Sequence, residues 1–271
     1  MWSRKAPLWR IGLSERRLVR ARTTGTWPSR VLTCDSLEWA PVENAEPWRG
    51  SVSALAKLLA APVPCERAPT VKVVLSGSFV RWQVLPWRTE LSGLDELAAY
   101  ARLRFTETFG KVASNWDVLH APQPPGKAVP ACAVDTAFVQ ALRTVCADAG
   151  ARLDLVTPYF ASAVDRWCPT LKGDVVWFAA IEPRCVSLGL VRNGDWLGLN
   201  TQRCDGNWSD LLPGMMARIG VVAGLGQASA PLYLTGTGPQ PVASAALPFV
   251  WLTPRNIDSG PDGGSRLALG I

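Results

Sequence analysis

The chain has 271 residues, 48% hydrophobic and 18% charged, enough to bury one large core or two small ones and too apolar for a disordered chain. Its formal net charge of +6 is local: residues 1–30 hold eight basic residues against Glu15 alone, so the rest of the chain is close to neutral. No apolar run approaches the ~18 residues of a bilayer-spanning helix, and Met1-Trp2-Ser3-Arg4-Lys5 does not open into the apolar stretch of a secretory signal.

In chain order, Leu8, Ile11, Leu13, Leu18, Val19 and Ala21 sit among arginines. They predict two short strands around the turn Ser14-Glu15-Arg16. Arg30 to Cys34 predicts a third strand, Ser51 to Ala61 a helix stopped by Pro62, and Val71 to Gly77 a buried, β-branched strand. Phe79 to Trp87 continues extended. Ser92-Gly93-Leu94-Asp95 has the spacing of a capping box, opening a helix that Gly110 closes. A strand over Asn115 to His120 and a Pro-rich loop over 121–130 follow.

Asp135 is placed to cap a second helix ending at Gly150, and Arg152 to Val156 reads as a strand. Thr157-Pro158 reads as a cap and first-turn proline for a short helix ending near Trp167. Beyond Lys172-Gly173 the opening pattern recurs: strands over Asp174 to Ile181, Cys185 to Val191 and Trp196 to Thr201, with Asn193-Gly194 as the hairpin turn. A helix over Trp208 to Ile219 and a strand over Pro231 to Leu234 complete it. Three strands, a helix and a strand thus appear twice, about 165 residues apart, which is an internal duplication. The halves are assigned to residues 1–170, with an inserted subdomain about 78–130, and 171–255; residues 256–271, Gly- and Ser-rich from Ser259, read as a flexible tail.

Candidate chemistry is sparse. A single histidine, His120, excludes a two-imidazole relay or a His-based metal site, and no Gly-x-Ser-x-Gly elbow accompanies it. Seven cysteines, no two closer than fourteen residues, lack Cys-x-x-Cys spacing, and most of them read as reduced core thiols of a cytoplasmic protein. Of thirteen tryptophans, Trp82, Trp167, Trp177 and Trp196 read as core, whereas Trp2, Trp27, Trp39 and Trp48 are candidates for a contact surface.

Several phrases, in this order, carry a resemblance: Trp9-Arg10-Ile11-Gly12-Leu13-Ser14, Leu75-Ser76-Gly77-Ser78-Phe79-Val80-Arg81, Leu85-Pro86-Trp87, Ala99-Tyr100-Ala101-Arg102 and Arg152-Leu153-Asp154-Leu155-Val156-Thr157-Pro158-Tyr159. Over residues 8–238 the chain resembles the PilM/GspL type of actin-like proteins, which serve the assembly platforms of type IV pili and type II secretion. The resemblance implies an α/β fold of two actin-like (ribonuclease H-like) βββαβ halves with mixed sheets.

Active members of that superfamily hold nucleotide between two hairpin turns and one glycine turn. Here the first turn, Ser14-Glu15-Arg16-Arg17, has no glycine, and the second, Glu182-Pro183-Arg184, has a proline where an N–H is needed. Thr235, Gly236 and Gly238 resemble a residual adenosine turn. The resemblance therefore implies a non-catalytic scaffold without cofactor or metal, cytoplasmic or peripheral at the inner membrane. Its implied partner is a bitopic PilN/GspL-like membrane protein, with a homo-oligomer as a further candidate and no nucleic acid. Arg16, Arg17, Arg20 and Arg22 are the candidate partner or membrane contacts. Two alternatives stand beside it: a divergent ATP-binding ATPase or sugar-kinase relative using Asp174, Glu182 and the Gly236–Gly238 turn, and nucleic-acid binding through the basic N-terminal segment.

Overall fold

The computed structural model describes residues 8–23, 31–40, 46–60, 68–91, 93–225, 230–237, 247–254 and 264–270. The chain opens with β1 (Leu8–Leu13), β2 (Arg17–Thr23), β3 (Val31–Glu38), α1 (Pro47–Ala60) and β4 (Thr70–Leu75). It continues through β5 (Arg81–Leu85), α2 (Leu94–Phe109), β6 (Trp116–His120), β7 (Val129–Asp135), α3 (Thr136–Asp148) and β8 (Arg152–Pro158). A five-stranded sheet in the order β3-β2-β1-β4-β8 forms the first half. Its hairpin strands pair antiparallel, and β1, β4 and β8 run parallel. Ile11 and Leu13 of β1, Val71, Val73 and Leu75 of β4, and Leu55 of α1 share one core with Phe138 and Leu142 of α3.

The stretch from β5 to β7 forms a separate three-stranded sheet, ordered β5-β7-β6. Ala101 and Phe105 of α2 pack on its Leu85, Val129, Ala131 and Ala133. Asp135 caps α3, its carboxylate accepting from the amides of Ala137 at 2.7 Å and Phe138 at 3.3 Å.

The remainder comprises α4 (Tyr159–Trp167), β9 (Val175–Glu182), β10 (Cys185–Arg192), β11 (Asp195–Arg203), α5 (Trp208–Val222), β12 (Leu232–Gly236), β13 (Val250–Trp251) and α6 (Gly264–Leu269). The sheet order β11-β10-β9-β12-β13 reproduces that of the first half, with the same parallel and antiparallel senses. Asn193 (φ 51°) and Gly194 (φ 76°) both adopt the left-handed conformation that a tight β10–β11 hairpin demands. β9 is nearly all apolar because both its faces are covered: Val176, Phe178 and Ala180 join the core containing α4, and Trp177, Ala179 and Ile181 join the core beneath α5.

Two local expectations need correction. Residues 264–270 are not a flexible tail. They form α6, whose buried Leu267 and Ala268 lie against β1 and β2; residues 255–263 lie outside the described residues. The space is made by Gly12, where a side chain would come within 2.7 Å of the Ala268 amide nitrogen. Thr157 is not the cap of α4 and Pro158 is not its first helical residue: Pro158 itself stands at the N-cap position without a side-chain hydrogen bond, and both residues stay in β8, paired with Val74 and Leu75. Gly93 precedes α2 with no side-chain cap, and Ser92 of the expected capping box lies outside the described residues. Cys132, Cys146, Cys185 and Cys204 are buried, as core thiols should be, whereas Cys34 and Cys168 are exposed; Cys65 lies outside the described residues. No helix among the described residues is long and apolar enough to cross a membrane.

Candidate functional site

The ends of β1, β4, β9 and β12 converge where the two halves meet. Glu182, at the end of β9, is 5% exposed, and its Oε1 accepts from the Gly77 amide at 2.8 Å and from the Cys185 thiol at 3.2 Å. Gly77 is required there by space, since a Cβ would lie 2.8 Å from Ser187 Oγ and 3.1 Å from Glu182 Oε1. Burial pushes the Glu182 carboxyl above its ordinary value, against the opposing hydrogen bonds from Ser76, Gly77 and Cys185. Burial, then the neighbouring Glu182 charge, raises the Cys185 thiol and the Tyr159 hydroxyl as well.

The first hairpin turn faces the second half with an acid rather than with amides. Glu15, its side chain 13% exposed, pairs with Arg203 at 2.5 Å and with Arg184 at 3.7 Å; Arg184 also pairs with Asp205 at 2.6 Å. Arg81 completes the cluster. Burial first, then the Arg203 charge, lowers it, while Glu15 opposes. The turn itself is closed locally, Ser14 Oγ accepting from the Arg17 amide at 3.1 Å while the Ser14 amide donates to the Arg17 carbonyl at 2.8 Å.

Thr235 and Gly236 end β12 in the same region and are buried; Gly238 lies outside the described residues. A Cβ on Gly236 would come within 2.5 Å of the Ile181 carbonyl and 3.0 Å of the Trp251 ring, and the Gly236 carbonyl accepts from Arg266 of α6 at 3.0 Å. Arg266 was not singled out from the sequence, because nothing in a Gly-rich C-terminal stretch signals a helix returning to this turn. Asp174 is not brought to the site. It precedes β9 while Glu182 ends it, and eight residues of strand separate them by roughly 26 Å. Among the described residues no cluster of His, Cys, Asp or Glu could hold a metal ion.

The four arginines do not form one patch. Strand alternation sends Arg17 to one face of β2 and Arg20 and Arg22 to the other. Arg17 pairs with Glu38 at 3.4 Å, and Arg20 pairs with Asp35 at 2.6 Å while lying 5.1 Å over the Trp9 ring. Arg16, in the turn, and Arg22 are exposed. Trp48 stacks on Phe138 at 5.6 Å and Trp39 packs on the same core, so neither is a free contact surface; Trp2 and Trp27 lie outside the described residues.

Sequence patterns missed a groove of about 420 Å³ between β8, the outer strand of the first sheet, and β6, the outer strand of the inserted sheet. Leu119 (63% exposed) and Leu155 (45% exposed) line it, with Arg102 and Arg143. Both arginines are exposed and form no ion pair among the described residues.

The duplicated sheets define an actin-like fold. No family model and no curated protein matches the sequence. Among solved structures, the chain is similar to a protein of actin-like ATPase fold and unknown function from Bacteroides thetaiotaomicron (14% identity, 98% of this chain and 96% of that one, TM-score 0.60). It is also similar to the cytoplasmic domain of EpsL, an inner-membrane component of the type II secretion system of Vibrio cholerae (11% identity, 98% and 94%, TM-score 0.61). A third is the PilM–PilN type IV pilus biogenesis complex (16% identity, 97% and 96%, TM-score 0.62). The two groups that the sequence resembles, PilM and GspL, are thus matched by structures of their own kind, at identities that establish the fold.

Proposed function

We propose that this chain is a non-catalytic actin-like scaffold of a type IV pilus or type II secretion assembly platform, working at the cytoplasmic face of the inner membrane. It is organised as halves 1–170 and 171–255, and it holds a short segment of a bitopic membrane partner of the PilN kind. The PilM–PilN and EpsL structures support the machinery. The single observation that carries the non-catalytic reading is the Glu15–Arg203 pair, which ties the first hairpin turn to the second half. A triphosphate does not fit these residues. Glu15 puts a carboxylate where phosphates need donors, Pro183 has no N–H to offer, and Arg266 and Trp251 fill the space beside Gly236. The pairing of Arg17 and Arg20 with acids weakens the case for a nucleic-acid face.

The partner segment is assigned to the groove between β6 and β8. Among the described residues two strand edges there pair with no further strand, Leu119 and Leu155 give apolar anchorage, and Arg102 and Arg143 give unpaired charge, whereas Asp117 and Asp154 of the same lining are engaged by Thr136 and by Lys72 and Arg152. Melting the protein with and without ATP and magnesium tests the first part, since a ligand held by the folded state alone raises Tm; a rise saturating with ATP refutes it. Co-purification with the membrane partner tests the second. Leu119→Asp is expected to reduce capture by at least about tenfold with Tm unchanged, and full capture by that variant rejects the groove.

A further inference from the structure

The geometry points to a second ligand site, for a small organic cation, in the cavity between the inserted sheet, α4 and β11. Its aromatic wall is Trp82, Phe160 and Trp196, and Asp165 is its anion. The cavity holds about 250 Å³, below the ~300–1,000 Å³ of drug-sized sites, so it suits a compact ligand. Trp82 meets Phe160 edge-on at 5.6 Å, and Phe160 meets Trp196 at 6.1 Å. Such rings present electron-rich faces that attract a cation and do nothing comparable for a neutral group.

The wall is built, not incidental. A Cβ on Gly189 would lie 2.5 Å from the Trp196 ring and 3.1 Å from Phe160, so the bare backbone at 189 is what lets both rings seat here. Trp82 and Trp196 stay half-buried, with open space beside them.

Asp165 supplies the complementary charge. Asp165 is one of the residues lining the cavity, and its exposed side chain has no ion pair or hydrogen bond among the described residues. Its neighbour Arg166 turns away to sit 5.9 Å over Trp167. Burial alone acts on the Asp165 carboxyl, raising it, and no cation nearby offsets that. An unpaired carboxylate beside three aromatic rings is the complement of an alkylammonium or quaternary ammonium group. An anion would be repelled, and a neutral molecule would gain apolar burial alone.

The test uses the full chain and two probes of one shape, choline and its uncharged isostere 3,3-dimethyl-1-butanol, read by the indole N–H signals of Trp82 and Trp196 in NMR titrations. Choline is expected to shift these signals and to bind about tenfold more tightly than the isostere. Asp165→Asn, an exchange at an exposed and unpaired position, is expected to bring choline down to the level of the isostere with unchanged Tm, and Asp165→Glu to retain the preference. Nα-acetyl-lysine amide in parallel separates a side-chain ammonium from a free one, and preference for either cation over the isostere supports the site. Equal binding of cation and isostere overturns the inference, as do wild-type choline affinity in Asp165→Asn and unmoved indole signals at about 20 mM choline, where a millimolar site would be saturated.

Discussion

Glu182 and Gly77, 105 residues apart in sequence, are joined by one hydrogen bond of 2.8 Å from the Gly77 amide to the Glu182 carboxylate. The bond links the end of β9 to the turn after β4, one from each half of the duplication. An amide and a carboxylate buried together in this way make stability sensitive to what either becomes.

The Glu182 carboxyl lies above its ordinary value because burial outweighs its hydrogen bonds. The folded protein therefore holds that proton to higher pH than the unfolded chain does. The contribution is most favourable below the unfolded value and is lost as pH rises through the raised folded one. Urea unfolding across that window should show the wild type losing stability relative to Glu182→Gln, whose side chain does not titrate. A pH-independent difference between the two would count against a buried, raised Glu182.

Gly77→Ala places a methyl group 2.8 Å from Ser187 Oγ, and Ser187 is itself held by Thr201 at 2.7 Å. The expected loss is about 1–3 kcal/mol, read as a lower denaturant midpoint at unchanged m-value. A neutral effect would mean that the two halves separate easily at this contact.

Arg203→Ala and Glu15→Ala should each weaken the protein modestly, since Arg203 is 59% exposed. A double-mutant cycle is expected to give a coupling below about 1 kcal/mol. Arg203→Glu should be more costly than Arg203→Ala, because it sets like charges together beside Asp205. Indistinguishable melting of these two variants would remove Glu15 as the tie between the halves.

Gly12→Val should dislodge α6, because the nearest atoms include main chain of residues 267 and 268 and not merely a movable side-chain tip. Hydrogen exchange should rise in β1 and β2, whose Val19 and Ala21 pack on Ala268. Protection equal to wild type would show that α6 accommodates the added bulk.

Reversing Arg16 and Arg22 together, both exposed, should reduce recruitment to partner-containing membranes while leaving Tm within about 2 °C. Arg20→Glu should instead lower Tm, since it turns the 2.6 Å pair with Asp35 into repulsion. Undiminished recruitment of the double reversal would remove Arg16 and Arg22 as partner or membrane contacts, leaving the β6–β8 groove to be judged by its own variant.

Periodicity and turn chemistry carry most of the fold. Asn193-Gly194 marks its hairpin because few other pairs accept two positive φ angles, and the β-branched run from Val71 marks a buried strand. The failures have physical causes. Thr157-Pro158 has the composition of a helix cap, yet pairing with Val74 and Leu75 holds it in the sheet. A window rich in Gly and Ser hides Leu267 and Ala268, whose burial depends on Gly12, at the other end of the chain. The degenerate turns are legible as missing glycines and amides. What fills them, Arg203 against Glu15 and Arg266 against Gly236, is not, because contacts between distant segments leave no local pattern.

The position of α6 has a consequence for how the protein is made. One face of the first sheet is covered by a helix that emerges from the ribosome more than a hundred residues after β8 completes that sheet, a delay of roughly 5–20 s at ordinary elongation rates. During that interval Val19 and Ala21 are without the helix that buries them. The nascent first half must therefore wait, exposed to chaperones and to any competing apolar segment, before its own covering is translated.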